Sequence, residues 1–410
     1  MATYENYKDS GVKWLGQIPS HWDMRPNISF LIEQKSRVDQ RKDLDLLSLT
    51  LKGVIFRDKE SGEGKMPESF EAYKIVNPNE IIFCLFDMDE TPRTVGVSNQ
   101  KGMITGAYDI FHVAKDVNVK FLFYYYLSVD NAKALRPYYS GLRKVVKIGT
   151  FKHIQTPIPP ANEQKAIVAY LDKVTGEIDR AIEAQQKMIE ALNERKQIII
   201  TRAVTHGLNP DAPLRDSGID WLGKIPAHWE ITTLRRLFKI RAGGDAKLNL
   251  YSDTQDKTHP YPVFTNAKDA SSVYGYTSKA IFPKNSITVT GRGDIGKAFY
   301  RNVPFDAIIR LLVLTPYSLN NCEFFAHYIN SVLVFKSDSA AVSQLSAVQI
   351  APSTIVLPPE REQTEIVNYI HKQSRPINIA IEDCERMISL LQERKQIIIN
   401  EVVTGKKKVI

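Results

Sequence analysis

Two stretches of this 410-residue sequence occur twice, in the same order, and the residues following each first element differ between the copies. Asp9-Ser10-Gly11, Trp14-Leu15-Gly16, Ile18-Pro19 and His21-Trp22 return as Asp216-Ser217-Gly218, Trp221-Leu222-Gly223, Ile225-Pro226 and His228-Trp229. Pro159-Pro160, Glu163-Gln164, Ile167-Val168 and Tyr170 return as Pro358-Pro359, Glu362-Gln363, Ile366-Val367 and Tyr369. Further on, residues 194–200 and 393–399 are the same seven residues, ERKQIII. A duplicated frame holding two dissimilar inserts implies two globular units, 1–158 and 208–357, each followed by a helical repeat, 159–207 and 358–410. The expected fold is α+β with a pseudo-twofold internal repeat.

After each Pro-Pro pair the pattern changes from short β-type runs to a long helical period, since consecutive prolines stop the preceding element. Leu171, Val174, Ile178, Ala181, Gln185, Met188, Leu192, Arg195 and Ile199 alternate in steps of three and four. Ile370, Gln373, Ile377, Ala380, Cys384, Met387, Leu391, Arg394 and Ile398 do the same. Each set reads as an a/d seam over four heptads, and the obvious partner of one seam is the other, packed as an antiparallel coiled coil. Ser374-Arg375-Pro376 reads as an N-cap followed by a first-turn proline, with Thr175-Gly176 in the matching place. A break is therefore expected near the start of each repeat, leaving a helix from Glu177 to about Thr205, about 43 Å long. Arg195 and Arg394 fall at seam positions, where burial without a partner is costly. The repeated ends, with Glu194, Arg195, Lys196, Gln197 and Glu393, Arg394, Lys395, Gln396, are expected to splay and offer themselves to another protein.

No apolar run reaches the length of a membrane span, and the first ten residues are polar rather than signal-like. Cys84, Cys322 and Cys384 lie far apart without a CxxC spacing, as free thiols of a reducing cytoplasm do. A net charge of +8 makes a polyanion a plausible partner.

The inserts have strand texture. Tyr261 to Thr265, Ala280 to Phe282 and Ser286 to Thr290 are short β-type runs in the second, and Ile81 to Phe86 is one in the first, after the turn Asn77-Pro78-Asn79. Each insert also holds one aromatic helix, Lys120 to Leu127 and Glu323 to Ile329, in which Phe121 and Tyr125, or Phe324 and Tyr328, share a face. Tyr124-Tyr125-Tyr126 could stack bases, but aromatics at helical spacing are more often core.

Gly291-Arg292-Gly293-Asp294-Ile295-Gly296-Lys297 satisfies GxGxxG and nearly satisfies a P-loop, but Ala298 stands where Ser or Thr should hold magnesium. Both motifs need the glycine turn to open a helix. The following residues, 299–304, read instead as the second strand of a hairpin. A glycine-rich tip carrying Arg292 and Lys297 suits a nucleic-acid groove, where arginine can pair bidentately with guanine. Arg143, Lys144 and Lys147 cluster beside Ser140-Gly141, and Arg93, Lys101 and Thr105 lie in the glycine-punctuated stretch from Thr91 to Tyr108. Each of these is a candidate DNA contact or a solvated surface residue.

Catalytic constellations are missing. The eight histidines make no HExxH and no paired ligand spacing. Asn77-Pro78 and Asn209-Pro210 lack the second proline and aromatic that hold a target base in amino-methyltransferases. No catalytic residue, metal site or cofactor is expected in this chain.

The order WLG-IP-HW, variable unit, PP--EQ--I, helix ending ERKQ, then all of it again, resembles the specificity subunit of type I restriction-modification systems. The resemblance covers the whole chain and rests on the paired boxes; the inserts resemble target recognition domains in texture only. It implies that each recognition domain reads one half of a split, asymmetric site in double-stranded DNA. It further implies that the helices set the gap and bind two methyltransferase subunits, with motor-nuclease restriction subunits joining for cleavage. S-adenosylmethionine, ATP and magnesium would belong to those partners. A single-chain methyltransferase or nuclease would need a cofactor loop and catalytic motif not found here; a coiled-coil adaptor without DNA binding fits poorly with the basic charge and two unlike inserts.

Overall fold

The computed structural model describes residues 3–37, 44–58, 70, 72–245, 247–266, 273–335 and 344–409. It divides into two compact units, one of residues 1–185 with 385–410, the other of residues 186–384. This differs from the four-part division expected from the sequence: the helical repeats are not bodies of their own, and each unit takes a half of both helices.

In the first unit, β1 (Leu31–Gln34), β2 (Ile81–Phe83), β3 (Val95–Val97) and β4 (Asp109–Val113) form an antiparallel sheet in the order β1-β4-β2-β3. In the second, β5 (Phe238–Ala242), β6 (Ser286–Thr290), β7 (Ala298–Arg301) and β8 (Leu311–Pro316) form another in the order β5-β8-β6-β7. The order is the same. In each unit the aromatic helix, α1 (Val119–Asn131) or α3 (Cys322–Val332), follows the sheet's last strand in sequence. Tyr124, Tyr125 and Tyr126 are buried, so the run is core rather than a base-stacking surface. Both helices start on an asparagine, Asn118 or Asn321, whose side chain accepts from the N–H groups two and three residues on.

The long helices are α2 (Ala161–His206) and α4 (Glu360–Val403). Neither breaks where Gly176 and Pro376 suggested. Pro376 removes one backbone bond and crowds the preceding turn. Yet Ile370 and Ile377 on either side of it are buried, and that packing holds the helix through the defect. In the first unit Lys395 on α4 donates to both carboxylate oxygens of Asp179 on α2, at 2.6 and 2.7 Å. Beyond that contact, Ile167, Val168 and Leu171 share a core with Ile399, Val402 and Val403, which makes the pairing antiparallel. In the second unit Lys196 Nζ donates to Asn378 Oδ1 at 2.7 Å, and Ile200, Ala203 and Val204 share a core with Ile366, Val367 and Ile370.

The seam departs from the heptad reading in the same way in both helices. Met188 and Met387 are about half exposed, at 53% and 47%, and Arg195 and Arg394 are exposed. Ile189, Ile388, Lys196 and Lys395, one residue on, take the half-buried places. A heptad assumes 3.5 residues per turn, whereas a straight helix drifts about 20° per heptad. Over three heptads that is about 60°, enough to turn the next residue inward. The arginines therefore never face the burial cost anticipated for them. The ERKQIII ends are also not splayed, because Ile200 and Ile399 are core.

The repeated boxes close each unit. Glu163 accepts from the Tyr4 hydroxyl and pairs with His21 Nε2 at 2.9 Å. Glu362 pairs with His228 Nε2 at 2.8 Å. Gln164 donates to the Pro159 carbonyl at 2.8 Å and accepts from the Asn118 N–H at 2.7 Å. Gln363 repeats this with Pro358 and Asn321, both at 2.9 Å. One amide thus ties the Pro-Pro strand end to the cap of the aromatic helix. Each long helix ends on a left-handed glycine, Gly207 or Gly405, where a Cβ would run into Glu362 and Trp229 in the one case and Pro19 and Trp22 in the other.

Candidate nucleic-acid interface

In the first unit, residues 140–145 make a tight turn. Ser140 and Val145 exchange backbone hydrogen bonds of 2.9 and 3.0 Å, while Gly141 and Lys144 take left-handed φ of 68° and 47°. The turn is fixed to the loop after β2: the Val146 N–H donates to the Leu85 carbonyl, and the Asp87 N–H donates to the Arg143 carbonyl at 2.7 Å. The Arg143 side chain closes the same contact as a two-pronged ion pair with Asp87, its Nε 3.1 Å from Oδ1. Those hydrogen bonds hold the Asp87 carboxyl below the usual carboxylate range and raise the arginine further. The guanidinium lies 5.1 Å above the Phe86 ring, which stacks on Tyr108 at 6.0 Å. The Tyr108 N–H donates to the Thr105 carbonyl.

Arg143, with Lys144 beside it on the turn, is thereby linked to the Thr105 backbone through three residues that no spacing singles out: Phe86, Asp87 and Tyr108. Asp87 and Arg143 lie 56 residues apart in the chain, and only the fold makes them neighbours. Lys147 is exposed just before the helix Ile148–His153. Lys101 is exposed at the other end of the three-residue strand Gly102–Ile104, away from Thr105.

Arg93 is placed elsewhere. It lines a cavity of roughly 380 Å³ with Lys52, Tyr124, Thr175, Asp179 and Lys395. Its Nη1 is buried without a hydrogen-bond acceptor among the described residues, and burial pushes the guanidinium down. The residues that follow it, Val95–Val97, pair into the central sheet, which carries Arg93 in against α1 and the long helices. It does not join the cations of the turn.

In the second unit, Gly291–Lys297 joins β6 to β7 as a hairpin tip, with a strand after it rather than the helix a phosphate loop requires. Lys297 and Thr290 close the tip with two bonds of 2.9 Å, and Asn266 clamps Gly291 and the Arg292 carbonyl at 2.7 Å each. The Leu345 N–H donates to the Gly291 carbonyl at 2.8 Å, the counterpart of Val146 on Leu85. In both units the loop after the second sheet strand is held by the segment that follows the aromatic helix, but the candidate cations sit on that holding segment in the first unit and on the loop itself in the second. Arg292 is partly exposed and Lys297 exposed.

On the long helices, Glu194, Arg195 and Gln197, with Glu393, Arg394 and Gln396, face outward, while Lys196 and Lys395 are engaged between helices. Beside them Ile198 is 59% and Ile397 48% exposed. With Met188 and Met387 they give each helix the same outward stripe, at steps of seven and three residues that share one face. Among the described residues no group of His, Cys, Asp and Glu could hold a metal ion, and no helix is long and apolar enough to cross a membrane.

A family model described as the type I restriction modification DNA specificity domain matches residues 96–191 and 226–387. A Methanocaldococcus jannaschii protein described as the MjaX type I restriction enzyme specificity subunit is 25% identical over 272 residues, 63% of this chain and 60% of that protein. The MjaVIII specificity subunit of the same organism is 32% identical over 93 residues, 23% of this chain and 20% of that one. The chain thus spans less than two thirds of either relative. A solved chain from a study of assembly and conformational transition in a type I R-M system matches with a TM-score of 0.69 at 14% identity, covering 94% of this chain and 98% of that chain. At that identity the likeness concerns the fold.

Proposed function

The chain belongs to the type I restriction modification DNA specificity family, and from that premise we propose that it is the non-catalytic, sequence-reading subunit of a restriction-modification complex. Each unit reads one half of a bipartite, asymmetric site in double-stranded DNA. The observation that carries this reading is the pairing of one sheet order with two unlike loop tips. A common scaffold positions the backbone, and the side chains at each tip differ, as they must if base-edge contacts are made locally. Arg143, Lys144 and Lys147 in one unit, and Arg292 and Lys297 in the other, supply the cations that meet phosphate and guanine.

The two copies of the outward helical stripe each dock one methyltransferase subunit, since partners that are alike need surfaces that are alike. Restriction subunits join that assembly. S-adenosylmethionine, ATP and magnesium act in those partners, and the complex works in the cytoplasm where the DNA is. Replacing residues 229–356 by the insert of a related protein tests the reading. Methylome sequencing should show one half of the modified sequence changed and the other kept; a change in both halves would refute it.

A further inference from the structure

Leu142 is 100% exposed, at the end of the turn that carries Arg143 and Lys144. A single exposed leucine is ordinary on a protein surface, but this one sits on a turn whose backbone is held by hydrogen bonds at both ends. Gly141 and Lys144 hold left-handed backbone on either side of it, and the Ser140 hydroxyl adds a bond to the Val145 carbonyl at 2.9 Å. Arg143, the next residue, is pinned to Asp87 and Phe86 rather than free to cover the leucine. Non-glycine left-handed backbone at Lys144 and Asp87 is unfavourable, so the conformation persists because the surrounding bonds determine it. The result is a stiff apolar point, fully exposed among the described residues, with exposed Lys147 and Arg143 behind it.

We propose that Leu142 is a wedge that inserts between stacked bases of the half-site read by the first unit, while Lys144 and Lys147 hold the flanking phosphates. Apolar side chains projected from a rigid, cationic support unstack a base step and bend the duplex, and the cost of unstacking varies with the step. Leu142 would therefore add specificity at a step that no hydrogen bond reads. Counted back from the Pro-Pro pair, the sequence of the second unit carries Ala341, Val342 and Ser343 at the positions matching Leu142, Arg143 and Lys144, in a segment outside the described residues.

This inference rests on the DNA-reading function proposed above, and the test separates the two. The full chain, assembled with its methyltransferase subunits, is bound at saturation to duplexes carrying the methylome-defined target. A single 2-aminopurine is moved through both half-sites, leaving out the adenines that are methylated. One step in the first unit's half should brighten several-fold with the natural chain and with Leu142→Met, and should stay dark with Leu142→Asn; no such Leu142-dependent step should occur in the other half. An Asn variant that no longer binds, beside a Met variant that binds and brightens, supports the wedge equally. Specific binding by anisotropy with no bright step, or with equal brightening in Leu142→Asn, overturns the wedge and leaves DNA reading intact. Loss of methyltransferase subunits from the Leu142→Asn complex in native mass spectrometry also overturns it, placing the tip at a protein interface. Failure of the natural complex to bind its target removes both proposals.

Discussion

The Trp229 indole N–H donates to Glu362 Oε2 at 3.0 Å, and the matching bond is absent in the other half of the repeat. There Glu163 is taken by Tyr4, and the Trp22 indole nitrogen is buried with no acceptor among the described residues. Two copies of one sequence box have thus settled into different hydrogen-bond networks. A residue outside the box, Tyr4, made the difference.

The first prediction follows from that pair. Trp229→Phe removes a hydrogen bond to a charged acceptor, worth roughly 1.5–3 kcal/mol, whereas Trp22→Phe removes an orphan donor and loses only packing. Hydrogen exchange of α3 should accelerate in the first variant more than exchange of α1 does in the second. Equal effects would mean that the Glu362 bond contributes nothing.

The defects in the long helices can be repaired. Pro376→Ala restores a backbone N–H inside a continuous helix and should raise stability by as much as about 3 kcal/mol. Gly176→Ala should add about 0.5–1 kcal/mol, because its Cβ would meet only the end of Arg180 at 3.9 Å. Urea unfolding of each variant measures the change. Destabilisation by either would show that the residue serves the packing there rather than standing as a defect.

Lys144→Ala and Lys297→Ala should each weaken DNA binding without changing the sequence read. If each lysine meets one phosphate, the slope of log affinity against log salt falls by about one. Arg292→Ala should instead relax discrimination at one base pair, by about 1–3 kcal/mol if it pairs with guanine. A salt titration on cognate and single-mismatch duplexes tells the two apart.

The helices as a ruler give a fourth test. Because Lys395 meets Asp179 and Lys196 meets Asn378, a longer spacer needs four residues in both helices. They belong between Asp179 and Lys196 on α2, and between Asn378 and Lys395 on α4. About one turn, ~6 Å, corresponds to one or two base pairs at ~3.4 Å each. Methylome sequencing should find the same two half-sites with a wider gap. An unchanged gap in an active complex would show that the helices do not set it.

The repeated boxes, the two long helices, the aromatic helices and the hairpin at Gly291–Lys297 were all legible in the sequence. They are local signals: proline stops, helical and strand periods, and a glycine turn followed by strand residues rather than a helix. What the sequence could not decide was which residue wins when local preference and packing disagree. Pro376 carries a strong local signal to start a helix, yet buried Ile370 and Ile377 hold it inside one. A heptad pattern placed Arg195 and Arg394 inward, yet straight helices accumulate drift and bring Lys196 and Lys395 in instead. The cluster of Arg143 with Asp87, Phe86 and Tyr108, like the removal of Arg93 into a cavity, depends on strand order. Strand order is set by contacts tens of residues apart, whose formation no local period encodes. The sequence by itself determined that there are two units on one frame; the tertiary structure alone decided which side chains each unit presents.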